Sequence, residues 1–121
     1  MEFDNEIPIY LQIMAMIKTD LVIGKILKGD KLLSTRDMAV ALKVNPNTIA
    51  RVYRELESES ICFTKRGMGT FITEDESKIE SLKEQLVDDY LSQFMKKMEQ
   101  LNYSIGDIIT KLKRFEEATH E

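Results

Sequence analysis

LLSTRDMAVALKVNPNTIARVYRELESESICFTKRGMGTFI, Leu32 to Ile72, is the stretch that decides the fold. Ser34 can cap a helix, and Asp37 lies three residues later beside the free N–H groups, with Asp in place of the usual Glu or Gln of a capping box. Met38, Ala39 and Leu42 then face a core. Lys43-Val44-Asn45 leaves room only for a tight turn. Asn45 is a good N-cap and Pro46 a good first helical residue, so the next helix starts at once. Its buried face is Ile49, Val52, Tyr53 and Leu56, and it ends between Glu57 and Ser60. After that the period changes from helical to alternating. Ile61–Thr64 and Thr70–Thr73 read as strands around a flexible Lys65–Gly69 turn, which makes a hairpin.

Upstream, a helix runs from about Pro8 to Ile23, with Ile9, Ile13, Met16, Ile17 and Leu21 as its apolar stripe. Gly24 follows the helix end, and Gly29 lies in the connection from Lys25 to Lys31. Downstream, Glu74–Ser77 separates the hairpin from a long amphipathic helix over about 77–101. Its stripe is Ile79, Leu82, Leu86, Tyr90, Phe94, Met98 and Leu101, broadened by Val87, Leu91 and Met95. Asn102-Tyr103 breaks this helix, and Ser104 with Asp107 can cap a final short one lined by Ile105, Ile108, Ile109, Leu112 and Phe115. The fold class is therefore mainly α with a small β-hairpin. Residues 1–75 form a winged helix-turn-helix, and 76–121 a C-terminal two-helix dimerisation region. The long stripe is too apolar to leave bare, but its run of four-residue spacings drifts from a heptad. A helical pair packed across a two-fold axis fits it better than a strict coiled coil; the alternative is a stripe that folds back on its own winged domain.

Composition removes most other functions. The chain has 121 residues, 43% hydrophobic and 31% charged, with two Pro and five Gly, which suits one ordinary globular chain. No apolar run approaches the ~18–20 residues that cross a bilayer. The acidic MEFDNE start lacks the features of a signal peptide, so a cytoplasmic protein with no membrane partner is expected. The single cysteine, Cys62, cannot make an intramolecular disulfide, and with a single histidine, His120, a zinc cluster, a Cys-His dyad or a Ser-His-Asp triad is hard to assemble. Cys62 reads as a small buried hydrophobe on a strand, His120 as a surface residue. No motif organises the carboxylates. The expectation is no metal, no cofactor and no catalysis.

The net charge of −4 is unevenly spread: residues 31–73 hold seven Lys and Arg against four Asp and Glu. A net-positive window permits phosphate binding. It coincides with a polar helix tip made by Asn45, Asn47 and Thr48, with Arg51 and Arg54 behind it. In a helix-turn-helix the short helix braces the next one, whose outer face enters the major groove. Asparagine can read an adenine edge there, and the helix N-terminus approaches backbone phosphates. Lys65 and Arg66 at the wing can reach a neighbouring backbone or the minor groove. Taken singly, exposed basic residues are often only solvated surface, Asn45-Pro46 can be only a cap, and the two glycines can serve only hairpin geometry.

Residues 8–73 resemble the DNA-binding domain of the GntR family of bacterial transcription regulators, and its short YtrA-type branch in particular. Val44–Glu57 is similar to the branch's recognition helix, and Arg66-Gly67-Met68-Gly69-Thr70-Phe71-Ile72 to its wing. Leu33 stands where the family usually has proline, and Ser60 where it commonly has glycine. The resemblance implies DNA contacts for Arg36 at the start of the second helix and for Asn45, Pro46 and Asn47 at the tip. It implies them also for Arg51 and Arg54, and for Gly67 and Gly69 where the wing nears the minor groove. It implies a homodimer built on the C-terminal helices, a double-stranded palindromic operator as partner, and a repressor of its own operon, which in this branch often encodes an ABC transporter. The residues show no ligand site; a small-molecule effector would have only a small cavity between the last helices, with Tyr90, Phe94 and Tyr103 as candidate lining. The rival expectation is a winged-helix protein-interaction module that does not bind an operator. Net acidity favours it, and the intact tip and wing oppose it.

Overall fold

The computed structural model describes the backbone of residues 1–120 and the side chains of residues 1–119, so the surface position expected for His120 lies outside the described residues. The elements in order are α1 (Ile9–Val22), α2 (Thr35–Leu42), α3 (Pro46–Ser58), β1 (Cys62–Lys65), β2 (Gly69–Ile72), α4 (Glu76–Gln100) and α5 (Ile105–His120). They fall into two compact units, Met1–Lys83 and Glu84–Glu121. Among the described residues no helix is long and apolar enough to cross a membrane.

In the first unit, α3 packs against α1, α2 and β1. Its Ile49, Val52 and Leu56 are fully buried and Tyr53 is 5% exposed, the face expected from their spacing. α1 contributes Ile13, Met14, Ile17 and Leu21. That stripe is rotated from the expected one: Ile9 is exposed and Met14 takes its place. On α2 only Ala39 is buried, with Met38 and Leu42 half-covered. Cys62 is buried as expected.

The caps follow the sequence. Ser34 Oγ accepts from Asp37 N at 3.0 Å, and Asn45 Oδ1 from Asn47 N at 2.8 Å. Ser104 Oγ accepts from Asp107 N while Asp107 Oδ2 accepts from Ser104 N, a reciprocal capping box at the start of α5. Asp75 caps α4: its Oδ1 accepts from Ser77 Oγ at 2.6 Å and from Ser77 N at 3.0 Å. Those bonds, the hydroxyl's foremost, hold the Asp75 carboxyl below its ordinary range. At Pro8 the chain uses another device, because proline has no capping side chain. Gln12 folds back instead, accepting from Asp4 N at 2.8 Å and donating to Asp4 O at 2.7 Å and Ile7 O at 2.8 Å.

The hairpin pairs Cys62 with Ile72, Phe63 with Phe71, Thr64 with Thr70 and Lys65 with Gly69. Each strand thus sits one residue nearer the turn than expected, and the turn shrinks to three residues. Ile61 keeps half of the next pair, its carbonyl accepting from Thr73 N at 2.8 Å, while its N–H donates to Leu56 O and finishes the end of α3. Ser60 before it has φ 62°, a left-handed conformation that glycine adopts without strain. A further feature was unexpected. Residues 29–32 run along the outer edge of β2: Gly29 N donates to Ile72 O, Ile72 N to Asp30 O and Leu32 N to Thr70 O, with an isolated bridge between Lys31 and Phe71.

Tyr53 joins these pieces. Its hydroxyl donates to Leu33 O at 2.7 Å, tying the chain just before α2 to α3 where proline is the family's usual residue. Burial, with the neighbouring Cys62 thiol adding to it, pushes the Tyr53 phenol up to about 12. Burial and then Glu57 push the Cys62 thiol up to about 12 as well. The Tyr53→Phe variant is expected to lose about 1 kcal/mol of stability in urea unfolding. The two raised values also set a pH dependence. In the unfolded chain these groups ionise near their ordinary 9.0 and 10.0, whereas the folded chain keeps them neutral to about 12. Above pH 9.0 the unfolded state therefore binds fewer protons, so their contribution is intact below that pH and is lost as pH rises toward about 12. A urea series from neutral to alkaline pH checks this, with a shallower decline expected for the Cys62→Ala variant.

Candidate nucleic-acid interface

The outward face of α3 begins at its cap. Asn45, Pro46 and Asn47 are exposed and Thr48 is half-buried. The N–H groups of Asn47 and Thr48 both point to Asn45, to its Oδ1 and its carbonyl respectively. Pro46 has no N–H. The first turn therefore offers side chains, not free backbone donors, and the expected approach of this terminus to phosphate rests on the helix dipole alone. Arg51 and Arg54 follow Asn47 at i+4 and i+7, which puts all three on one face, opposite the buried Ile49, Val52 and Leu56.

Of the carboxylates at the C-terminal end of α3, Glu57 and the capping Glu59 are engaged elsewhere, while Glu55 is exposed beside the arginines without an ion pair among the described residues. Glu57 Oε2 accepts from Thr64 Oγ1 at 3.2 Å on β1. Glu59 pairs with Lys18 of α1 at 2.9 Å. The one other ion pair among the described residues is Lys28–Glu76 at 3.4 Å, so Arg36, Arg51, Arg54, Lys65 and Arg66 are all outside ion pairs. Arg36 is exposed in the first turn of α2.

Arg51 has a neighbour that its sequence position does not announce. Its guanidinium carbon lies 3.7 Å from the centroid of the Tyr10 ring on α1. Tyr10 is 41 positions away, and neither motif nor spacing could have linked the two.

At the wing, Arg66, Gly67 and Met68 form the exposed tip, closed by Met68 N donating to Lys65 O at 2.9 Å. Gly67 has φ 78° in open space, so only its backbone demands glycine. Lys65, expected in the turn, instead ends β1. Its ammonium lies 4.9 Å from the Phe71 centroid and 5.6 Å from that of Phe63, over a ring pair stacked at 5.8 Å. Gly69 is half-buried at φ 120°, and a Cβ there would stand 2.9 Å from Lys31 Cε. Lys31 is thereby another cation at the wing that the sequence reading left without a role. It lines, with the start of α2 and the wing, a cleft of about 570 Å³.

The second unit carries a cavity of about 270 Å³ lined by Phe94, Met98, Tyr103, Ile108, Lys111, Leu112 and Phe115. Phe94 and Tyr103 are in it as expected; Tyr90 is not, and is 56% exposed. Of the remaining stripe, Leu82 and Ile108 are buried within the chain, Ile79, Leu86 and Met98 are half-buried, and Leu101 is open to solvent. Among the described residues no group of three or more His, Cys, Asp or Glu side chains is placed to hold a metal ion.

Comparison with known proteins gives this arrangement a family. The profile described as "Bacterial regulatory proteins, gntR family" matches residues 9–72. The chain is 43% identical over 116 residues to the HTH-type transcriptional regulator YhcF of Bacillus subtilis, covering 96% of each. It is 44% identical over 85 residues, 65% of each chain, to the HTH-type transcriptional repressor YtrA of the same organism. Among solved structures, a GntR family transcriptional regulator from Listeria monocytogenes superposes with a TM-score of 0.87 at 42% identity, covering 93% of this chain and 98% of that one. The chain belongs to the GntR family of DNA-binding transcriptional regulators, which are not enzymes. The wing geometry gives a test of its own: Gly69→Ala, strained at its positive φ and forced against Lys31, should cost about 1–2 kcal/mol. The loss should appear as faster amide exchange across the Lys65–Gly69 end of the hairpin.

Proposed function

We propose that this GntR-family regulator is a dimeric, cytoplasmic repressor of a palindromic operator in its own operon, by resemblance an ABC-transporter operon. One observation carries the reading: a cation-bearing α3 face without ion pairs sits opposite a fully buried one. Asn45, Pro46, Asn47 and Thr48 would enter the major groove, with Arg51 and Arg54 on base edges or phosphates behind them. Arg36 would hold the backbone beside α2. Arg66, Gly67 and Gly69 would approach the minor groove, and Lys65 an adjacent phosphate.

Dimerisation is supported by apolar surface on the second unit. Tyr90, Leu91, Phe94, Leu112 and Phe115 are 38–69% exposed and Leu101 is 70% exposed. Side chains of this kind on one short segment are the mark of an association surface. Two copies related by a two-fold axis would present two α3 helices to two half-sites. The repressor sign follows the name of the similar YtrA protein. An inducer that altered the separation of the two reading helices would release the operator, and an apolar one would fit the 270 Å³ cavity of the second unit.

Fluorescence anisotropy of the protein against its own promoter duplex and a scrambled one, across a salt series, tests the reading. Tight binding to the promoter alone, at two protomers per duplex, is expected. Asn47→Ala should cost about 1–3 kcal/mol on the promoter, and Arg54→Gln should lower the salt slope by about one. Absence of binding even at low salt would leave the interaction-module reading, which the net acidity favours. Leu112→Asp, at an exposed position, should keep the helical signal while weakening the dimer about 100-fold or more in sedimentation, since the loss is counted twice across a two-fold axis.

A further inference from the structure

We propose that Tyr10 is a positioning residue for DNA binding, its ring seating the Arg51 guanidinium of α3 before DNA arrives. The inference rests on the DNA-contact role of Arg51 given above. The guanidinium carbon stands 3.7 Å from the ring centroid, well inside the ~6 Å reach of a cation over an aromatic face. Arg51 is exposed and outside any ion pair among the described residues. The ring is therefore the group that restrains it.

The ring is itself held. Tyr10 is half-buried in the first turn of α1, and the next turns are anchored by Ile13 and Ile17, both fully buried. Gln12 fixes the preceding chain through its three hydrogen bonds to Asp4 and Ile7. A long basic side chain gives up rotamer freedom when it meets a phosphate or a guanine edge. A planar guanidinium already stacked on a fixed ring gives up less, and its outer N–H groups stay open to an acceptor while one face is covered. The stack thus couples the position of α1 to the reading face of α3.

Anisotropy on the promoter duplex at one salt concentration tests this with Tyr10→Phe, Tyr10→Leu, Arg51→Gln and the Tyr10→Leu/Arg51→Gln double variant, with thermal midpoints recorded for each. Tyr10→Phe, which keeps the ring, is expected to bind within twofold of the parent. Tyr10→Leu should bind about three- to tenfold more weakly, and should add nothing in the Arg51→Gln background. Tyr10→Met, which keeps more length, replaces Tyr10→Leu if the latter lowers the thermal midpoint. A loss in Tyr10→Phe equal to that in Tyr10→Leu would assign the effect to the hydroxyl and overturn the proposal. So would a Tyr10→Leu loss that persists without Arg51, or unchanged or tighter binding by Tyr10→Leu. Unchanged binding by Arg51→Gln alone would overturn the role of Arg51 itself, whereas a loss there with none in Tyr10→Leu removes only the stack.

Discussion

α3 has to be buried on one side and bare on the other, and this requirement organises the first unit. Ile49, Val52, Tyr53 and Leu56 go into the core from three successive turns, so neither rotation nor sliding of the helix is available without opening that core. α1 and α2 cover the buried side, β1 continues from its end, and the Tyr53 hydroxyl reaches across to the chain before α2. The opposite face then carries Asn47, Arg51 and Arg54 on a helix whose own orientation is set by packing. A helix held in this way can lose surface side chains without changing its orientation.

An acidic protein that binds a polyanion does so through local placement. Here the segregation is done by hydrogen bonds as well as by sequence. Glu57 near the end of α3 and Glu59 at its C-cap are turned toward Thr64 and Lys18, although Glu55 stays exposed beside the two arginines. Arg51 and Lys65 rest on aromatic rings, not on carboxylates. A ring steadies a cation while leaving its full charge to be met by phosphate, whereas a carboxylate would have to be displaced first.

The parts legible in the sequence are those with local causes. Ser34, Asn45 and Ser104 cap because of groups two or three residues away, and the buried face of α3 follows from its spacing. α1 was harder: it is apolar around much of its circumference, so Ile9 and Met14 could exchange places in a periodic reading, and only the position of α3 decides between them. At the open end of the hairpin the Ile61–Thr73 pair is only half made, because Ile61 spends its N–H on the end of α3; at the other end Lys65 and Gly69 pair and shorten the turn. The family's usual glycine before Ile61 now has a reason in the positive φ of Ser60. The Tyr10–Arg51 stack and the seat of Lys65 join residues whose neighbourhood exists only after folding, and no local pattern contains them.

The run of residues 29–32 beside β2 has a consequence for how the molecule behaves in company. A two-stranded ribbon has two unpaired margins, each able to recruit a strand from a neighbour. With one margin occupied by the chain's own connector, recruitment can start only from β1, which is four residues long and ends in a lysine. The hairpin is in this way guarded along β2 against strand-by-strand association in a crowded solution of the regulator.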